Sequence, residues 1–338
     1  MVVPAGIDDP QRPSGGNIYD RRVCNGLADL GWRVREHHVA GGWPCPDPAA
    51  LALLADAVAV VPDDGLLLVD GLVASAAYDV LGTAAQRVRL VVLAHLPLGL
   101  PGEGAVMMGA HTVVTTSEWA RAELLSCYRL DPARVHVAEP GADRAPPARG
   151  TPQGGELLCV AAVSRHKGHD VLISALTALR ELPWRCRLVG SLERDPAFVA
   201  DLRRKIAAEE LTERVVFCGA RTGSDLAHAY ATSDVLVHPS RGETYGMVIT
   251  EALAHGLPVL ATDVGGVPHA LGDTAVGPAG LLVAAEHPAL LAEALRDWLN
   301  DAALRDRLRD AAARRRRTLL SWQATSERVG KVLAEAAA

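Results

Sequence analysis

Short apolar runs alternate with amphipathic stretches of helical period along most of this chain. Apolar runs bounded by turn residues predict buried strands, and the stretches between them predict helices. Their alternation is typical of a parallel sheet with helices on both faces. In the first part of the chain the predicted strands are residues 2–3, 33–37, 65–69, 89–94, 112–116 and 135–138, with helices at 18–30 and after the N-cap Ser117.

The alternation starts again after a change in composition. Residues 144–155 are rich in proline and glycine, which predicts an interdomain linker. We therefore expect an α/β protein of two doubly wound, Rossmann-like domains facing across a cleft. The domains are residues 1–143 and 156–318, and the helix of residues 319–338 is expected to pack back on the first. The second domain has predicted strands at 157–163, 185–190, 215–219, 234–238 and 258–262, and helices at 170–180, 197–209, 225–232, 288–300 and 302–318.

Two carboxylates mark the stretch of residues 233–270. The stretch predicts a strand, a polar loop, a helix opening near Gly246, a second strand and a glycine turn. Glu243 lies in the loop and Glu251 about two turns along the helix. Since ligands of open α/β sheets bind beyond the carboxyl ends of the strands, we expect both side chains at a ligand site.

Carboxylates cannot bind a diphosphate directly, because like charges repel at contact distance. Near a bound anion they can bind hydroxyls, so ribose and sugar hydroxyls are the expected partners of Glu243 and Glu251. The amides around Gly246 are available to bound oxygen atoms. The alternative interpretation is a pair of solvent-exposed glutamates beside a helix.

Lysine is scarce in this chain, occurring as Lys167, Lys205 and Lys331. Lys167 follows Arg165 and His166 in a loop between a predicted strand and a helix. Helix amides and two fixed cations together predict a phosphate or diphosphate site. The alternative is a surface loop with basic residues and no ligand.

A glycine pair, Gly15 and Gly16, follows the first predicted strand. Glycines there let the backbone approach a ligand, and the next helix start can receive an anion. A plain turn explains the pair equally well. The chain has no G-x-G-x-x-G pattern, which argues against a nicotinamide oxidoreductase. With no D-x-D motif at a strand end, we expect neither a metal nor a cofactor.

Charge and cysteine usage narrow the function further. A formal net charge of −6 argues against a dedicated nucleic-acid binder. The six cysteines show no ligand-like spacing, as expected in a reduced cytosol. The start lacks a signal-peptide pattern, and no apolar run reaches the roughly 18 residues of a membrane span. We expect a cytoplasmic protein, and because the first strand is short, a natural start upstream of Met1. Four arginines at 314–317 predict a solvated helix face, with weak contact to the inner face of the membrane as the alternative.

The block H-P-S-R-G-E-T-Y-G-M-V-I-T-E-A-L-A-H-G-L-P-V-L-A-T-D-V-G-G-V-P resembles the signature of the family 4 retaining glycosyltransferases of the GT-B fold. Glu243 and Glu251 match its E-x7-E pattern. The likeness continues through K-G-H-D, G-S-L-E-R-D, T-T-S-E-W-A and P-G-A-D. It covers nearly the whole chain and implies a GT-B fold.

The resemblance also implies roles for individual residues. Lys167 and Arg165 would hold the donor diphosphate. Glu251 would bind the donor ribose, and Glu243 the transferred sugar. His95 resembles the histidine that faces this sugar across the cleft. The expected catalytic residues are Glu243, Lys167, Arg165 and His95, and the expected donor-binding residues are Gly15, Gly16, Arg165, Lys167, Gly190, Ser191, Thr244, Tyr245, Gly246, Met247, Val248 and Glu251.

Two positions depart from the family pattern. Ala161 and Ala162 stand where the family often has G-R before the K-G motif, so Arg165 must supply the second cation from a shifted position. His269 replaces the glutamate of G-G-x-P-E. This indicates either an uncommon donor or a tolerant position.

The expected function is retaining, metal-independent transfer of a hexosyl group from a nucleotide-diphosphate sugar, with a UDP-sugar favoured. The acceptor, a small molecule, lipid or glycan, stays open. One alternative is another GT-B enzyme, such as a nucleotide-sugar epimerase or a phosphorylase. A second is a non-catalytic nucleotide-sugar-binding subunit. A nicotinamide dehydrogenase is the least favoured.

Overall fold

A computed structural model describes residues 1–338, and the chain divides into two compact units. The first comprises residues 1–9, 15–141 and 320–338, and the second comprises residues 10–14 and 142–319. Each unit has its own parallel sheet and its own buried apolar core.

The first unit is built on six parallel strands. Its strands are β1 (Val2–Pro4), β2 (His37–Val39), β3 (Leu66–Asp70), β4 (Arg89–Ala94), β5 (Thr112–Thr115) and β6 (Val135–Val137). Their order in the sheet is β2-β1-β3-β4-β5-β6. The middle strands are apolar almost throughout, as expected for strands buried on both faces.

Helices connect these strands. Ser117 accepts a hydrogen bond from the amide of Ala120, so the predicted N-cap is confirmed. The mostly apolar residues 49–59 lie in a helix whose N-cap, Asp47, accepts a hydrogen bond from the amide of Ala50. The helices are α1 (Gly15–Asp29), α2 (Pro48–Ala59), α3 (Gly71–Ser75), α4 (Tyr78–Ala84), α5 (Glu103–Gly109) and α6 (Glu118–Cys127).

The second strand was predicted at the wrong residues. The strand forms at His37–Val39 rather than at residues 33–37, and it pairs with β1 from Val2↔His37 to Pro4↔Val39. Val39 is buried, whereas Val34 is only partly covered. The sequence offers two apolar positions for this strand, Val34 and Val39, and pairing with the very short β1 places the strand at Val39.

The second unit repeats the architecture. Its strands are β7 (Glu156–Val160), β8 (Arg185–Val189), β9 (Val215–Gly219), β10 (Val235–His238), β11 (Val259–Thr262), the hairpin β12 (Asp273–Thr274) and β13 (Gly277–Pro278), and β14 (Gly280–Val283). The main sheet has the parallel order β14-β11-β10-β7-β8-β9. Strand order reverses beside β7 and β10, where a doubly wound sheet places its ligand site.

The helices of this unit close on both faces of the sheet. They are α7 (His169–Thr177), α8 (Pro196–Ala208), α9 (Gly223–Ala231), α10 (Met247–Ala254), α11 (Val267–Leu271), α12 (Pro288–Asn300) and α13 (Ala302–Arg315). The last helix, α14 (Trp322–Ala337), groups with the first unit and packs mainly on α1.

Residues 142–155, which contain no helix or strand, group with the second unit. The Thr151 hydroxyl donates to Asp234 at 2.7 Å, and Trp298 Nε1 donates to the Gly154 carbonyl at 2.7 Å. Arg309 donates to the Thr151 carbonyl at 2.7 Å. This segment, predicted as a linker, is therefore anchored to the unit by buried and half-buried side chains.

No helix in the structure is both long enough and apolar enough to cross a membrane. Of the arginines at 314–317, Arg314 pairs with Asp310 at 3.0 Å. Arg315 donates to the Leu271 carbonyl, and Arg316 to that of Ala254. These three guanidinium groups have partners within their own unit.

Candidate functional site

Glu243 is the centre of the site in the second unit. Lys167 Nζ donates to its Oε1 atom at 2.6 Å, and His238 Nε2 lies 2.8 Å from the same oxygen. The Glu243 side chain is 11 % exposed and that of His238 is 2 % exposed. The structure therefore brings together Glu243 and Lys167, two of the residues predicted from the sequence, and adds His238.

Burial would raise the pKa of Glu243, but the adjacent His238 ring and the Lys167 ammonium lower it strongly. Glu243 is consequently ionised at neutral pH. A carboxylate accepts hydrogen bonds, so His238 must carry a proton on Nε2. The site therefore holds a fixed negative oxygen beside a cation that can reach an anionic ligand.

Two glycine positions bring the loops of the site together. A Cβ on Gly168 would lie 1.9 Å from the Pro239 carbonyl oxygen, and Gly168 has φ +68°. A Cβ on Gly265, with φ +54°, would lie 1.8 Å from the Glu243 carbonyl oxygen. Only glycine fits such close approaches at positive φ. The K-G motif and the glycine turn thus allow their loops to pack directly on the loop that holds Glu243.

Arg241 joins the loop of Lys167 to the loop of Glu243. Its guanidinium donates to both oxygens of Asp170, at 3.0 and 2.9 Å, and to Glu286 at 3.0 Å. Its backbone amide donates to the His166 carbonyl at 2.9 Å. A bidentate arginine–carboxylate pair fixes orientation as well as distance.

Arg165, the predicted second cation, is directed elsewhere in the structure. Its guanidinium lies 3.3 Å from Asp201 and 5.0 Å from the ring of Phe198, and its side chain is 67 % exposed. The structure does not bring Arg165 to the pair of Glu243 and Lys167. Exposed pairs of this kind contribute little free energy, so the side chain can reorient at small cost.

Glu251 occupies a second polar position, on α10. Tyr230, which is 2 % exposed, donates to Glu251 Oε2 at 2.8 Å. The Tyr230 ring stacks on His255 with centroids 5.2 Å apart. Burial, followed by the Glu251 charge, raises the pKa of Tyr230 well above its usual value, so this hydroxyl stays a donor. Tyr230 therefore orients the Glu251 carboxylate.

The remaining predicted donor residues surround the start of α10 and the end of β8. Gly246 precedes α10 in a left-handed conformation. Met247 and Val248 begin the helix and are partly exposed, while Tyr245 is buried. The others lie just before Tyr245 or at the end of β8, and are Thr244, Gly190 and Ser191.

A separate cluster lies in the first unit. His95 directly follows β4, and its Nε2 atom lies 3.0 Å from Asp20 Oδ1 and 3.7 Å from Asp70 Oδ2. A Cβ on Gly16 would lie 3.3 Å from the His95 ring, and the Tyr19 ring meets it edge-on at 5.4 Å. Gly15 and Gly16 begin α1. The predicted His95 and Gly16 are therefore neighbours.

Burial shifts all three ionisable groups of this cluster toward neutrality. It raises the pKa of Asp20 to about 7 and that of Asp70 well above its usual value, and it lowers the pKa of His95. The ligand atoms of the three residues lie within 4.8 Å of one another, close enough to hold a metal ion.

The sequence predictions missed several residues of these sites, including Arg241. His238 lies in the H-P-S motif but was assigned no role. Tyr230 has no local signal that links it to Glu251. Asp70 ends the apolar run L-L-L-V-D, and Asp20 lies on the same helical face as Cys24 and Leu27. A carboxylate on an apolar stripe was the available signal for Asp20.

Comparison with known proteins identifies a protein family that this chain matches. The family model described as glycosyl transferases group 1 matches residues 149–315. The D-inositol 3-phosphate glycosyltransferase of Kineococcus radiotolerans is 36 % identical over 253 residues, 67 % of this chain and 57 % of that protein. The protein of the same name from Salinispora tropica is 33 % identical over 70 % of this chain and 53 % of its own length. The chain spans little more than half the length of these curated relatives.

Solved structures match over nearly the whole chain. Sucrose-phosphate synthase from Thermosynechococcus elongatus has a TM-score of 0.79 at 20 % identity, covering 99 % of this chain and 97 % of that one. HepE from Anabaena, solved with UDP-glucose, has a TM-score of 0.77 at 18 % identity and covers 99 % and 98 %. With a parallel sheet in each unit, these likenesses confirm the predicted GT-B fold of two Rossmann-like domains.

Proposed function

Because the chain belongs to the group 1 glycosyltransferases through residues 149–315, we propose that it transfers a sugar from a nucleotide-diphosphate-sugar donor to an acceptor hydroxyl. The observation that supports this most is the half-buried contact of Lys167 with Glu243, in the loop before α10. It combines an anion-binding cation, a hydroxyl-binding carboxylate and free helix amides within one site.

In this proposal the donor diphosphate draws Lys167 away from Glu243. The ammonium and the amides of Met247 and Val248 then bind phosphate oxygens, and Arg165 can swing from Asp201 to join them. His238 keeps its hydrogen bond to Glu243, so the carboxylate remains in place for a sugar hydroxyl. Glu251, oriented by Tyr230, binds the ribose.

Charge develops on the leaving phosphate as the bond to the sugar breaks. Preorganised cations and amides stabilise that charge, and losing one such donor typically costs about 3 kcal/mol of transition-state stabilisation. We propose that these groups take the place of a metal ion. We further propose retention of anomeric configuration, with the leaving phosphate as base toward the acceptor and no protein nucleophile.

UDP-glucose is the first donor to test, because a protein of the same fold was solved with it. D-inositol 3-phosphate is the first acceptor, because it appears in the names of the sequence relatives. Mixing both with the protein should release UDP only when donor and acceptor are present together. Epimerisation or phosphorolysis of the donor without the acceptor would indicate another GT-B enzyme instead.

A thermal-shift series with UDP, GDP, ADP and their sugars separates binding from turnover. Stabilisation follows the logarithm of ligand concentration over the dissociation constant. Lys167→Gln should abolish the shift, whereas Lys205→Gln, which alters a lysine on α8 that contacts Ser174, should keep it. A shift without turnover for any acceptor would favour a non-catalytic binding subunit. The absence of a shift with every nucleotide would contradict the proposal.

A further inference from the structure

Two buried carboxylates converge on one nitrogen of His95. Asp20 is 1 % exposed and Asp70 is 3 % exposed, and both approach Nε2 of the ring. Asp70 uses its other oxygen to cap α3, accepting from the Val73 amide at 3.0 Å. Asp20 Oδ2 is fully buried and has no hydrogen-bond donor among the protein groups.

Two adjacent buried carboxylates cannot both stay charged, because each disfavours ionisation of the other. A single proton held between Asp20 and Asp70 removes one charge. It also satisfies Asp20 Oδ2, the orphaned oxygen. The remaining charge favours a hydrogen bond from the nearest donor, the Nε2–H group of His95.

We propose that Asp20 and Asp70 are positioning residues that share one proton and hold His95 as a neutral ring with its own proton on Nε2. The lone pair of Nδ1 then becomes available as an acceptor, since Nδ1 has no protein partner and the side chain is 21 % exposed. Resting on the proposed function, we assign this acceptor to a substrate hydroxyl.

The surroundings of the ring fix its plane. Gly16 and the edge-on ring of Tyr19 contact it, and the Tyr19 hydroxyl donates to the Ala138 carbonyl at 2.8 Å. Tyr19 also meets Trp322 of α14, with centroids 6.1 Å apart. The ring therefore lies between packed groups, and its tautomer is set by what binds Nε2.

Few other ionisable groups act on this cluster. Burial and then the Asp20 charge raise the pKa of Tyr19, whose hydroxyl therefore stays neutral, while Arg328 of α14 acts in the opposite direction. Asp20 of α1 and Asp70 at the end of β3 are the acidic groups that face His95, which directly follows β4. No cation pairs with either aspartate in the structure, so a shared proton is the simplest source of neutralisation.

Nitrogen-15 NMR of histidine-labelled protein tests the tautomer without any substrate. The His95 signals are identified among the 12 histidines by their loss in His95→Gln. We expect a protonated Nε2 and a bare Nδ1 from pH 8 to pH 6. An imidazolium ring, or a proton on Nδ1, would overturn the proposal even in an active enzyme.

Asp20→Leu and Asp20→Asn separate positioning from structure. Leucine removes the acceptor, and we expect mixed tautomers and a fall of kcat by about 100-fold, the size seen for misplaced reacting groups, with donor KM nearly unchanged. Asparagine can accept from Nε2–H and donate to Asp70, so we expect most of kcat to return. Asp47→Asn, at the cap of α2, is the control for an aspartate-to-asparagine change away from His95.

The possible results separate the positioning role of Asp20 from the proposed function. Equal kcat in wild type and in a folded Asp20→Leu variant would overturn the positioning role. Stoichiometric Zn²⁺ or Mg²⁺ that displaces the Nε2 proton would replace the shared proton by a cation and overturn it too. If no transfer occurs with any sugar donor, the proposed function fails, while the NMR result still decides the state of His95.

Discussion

Lys167 Nζ lies 2.6 Å from Glu243 Oε1, so the cation expected to bind the donor phosphate is paired with the carboxylate expected to bind the sugar. The pairing explains how a carboxylate that is 11 % exposed stays ionised before any donor arrives. It also means that donor binding and this ion pair compete for one ammonium group.

Breaking the pair on one side should cost more stability than removing both charges. Lys167→Met leaves the Glu243 charge with His238 alone, and we expect the free energy of unfolding to fall by roughly 2 kcal/mol, less than for a fully buried pair. Lys167→Met combined with Glu243→Gln should recover most of this loss. Urea denaturation of the single and double variants measures the coupling, and additive losses would contradict it.

Gly265→Ala should distort the site, whereas Gly256→Ala should not. Both residues have positive φ, +54° and +66°, so each alanine costs about 1 kcal/mol of backbone strain. A Cβ on Gly265 would also collide with the Glu243 carbonyl, while a Cβ on Gly256 meets nothing within 4 Å. We expect kcat to fall only for Gly265→Ala. Equal kcat in the two variants, measured by UDP release, would show that Glu243 is not displaced.

Tyr230→Phe should weaken donor binding by about 10-fold, near 1.4 kcal/mol, because Glu251 loses the hydroxyl that orients it. Tyr128→Phe is the matched control. The Tyr128 hydroxyl donates to Glu103 at 2.6 Å in the other unit, so its loss should reduce stability alone. Calorimetric titration with UDP compares them. Unchanged UDP affinity in Tyr230→Phe would argue against Glu251 as the ribose ligand.

The contribution of Asp20 to the free energy of unfolding should fall as the pH rises from about 4 to about 7. Burial raises its pKa from 3.8 to about 7, so in this window the folded protein binds the proton more strongly than the unfolded chain. Its contribution is complete below the unfolded pKa and is lost as the pH rises through the folded pKa.

Asp20→Asn removes this titration. Its stability relative to the wild type should therefore rise with pH, by on the order of 1 kcal/mol per unit in that window. Thermal unfolding of both proteins between pH 4 and pH 8 tests the sign. A stability of Asp20→Asn relative to the wild type that stays constant, or that falls as the pH rises, would contradict it.

Much of the fold could be predicted from the sequence, because strands that are buried on both faces consist of continuous apolar runs. The strand at Arg89–Ala94 agrees residue for residue, and so does the helix at Pro288–Asn300. The partner of a strand lies far away in the sequence, and so the residues that form β2 were predicted wrongly. The hairpin of β12 and β13, two residues per strand, is too short to give a pattern.

The site was predictable only in part, for the same physical reason. Glu243 and Lys167 lie at strand and helix ends that local pattern identifies. Their direct contact depends on the close approach of loops 76 residues apart in sequence. The pairing of Asp20 with Asp70 could not be predicted from the sequence, because only the sheet order brings α1 and β3 to the same side of β4.

The anchoring of residues 151–154 to Asp234, Trp298 and Arg309 decides where this protein can be cut or extended. Their proline- and glycine-rich composition suggests a tether that would tolerate inserted residues. Instead, a fragment starting at residue 156 would expose the indole of Trp298 and remove the Thr151 hydroxyl that donates to the buried Asp234 carboxylate. A stable excised unit has to start near residue 142, and a protease should spare the segment that composition alone would mark as its target.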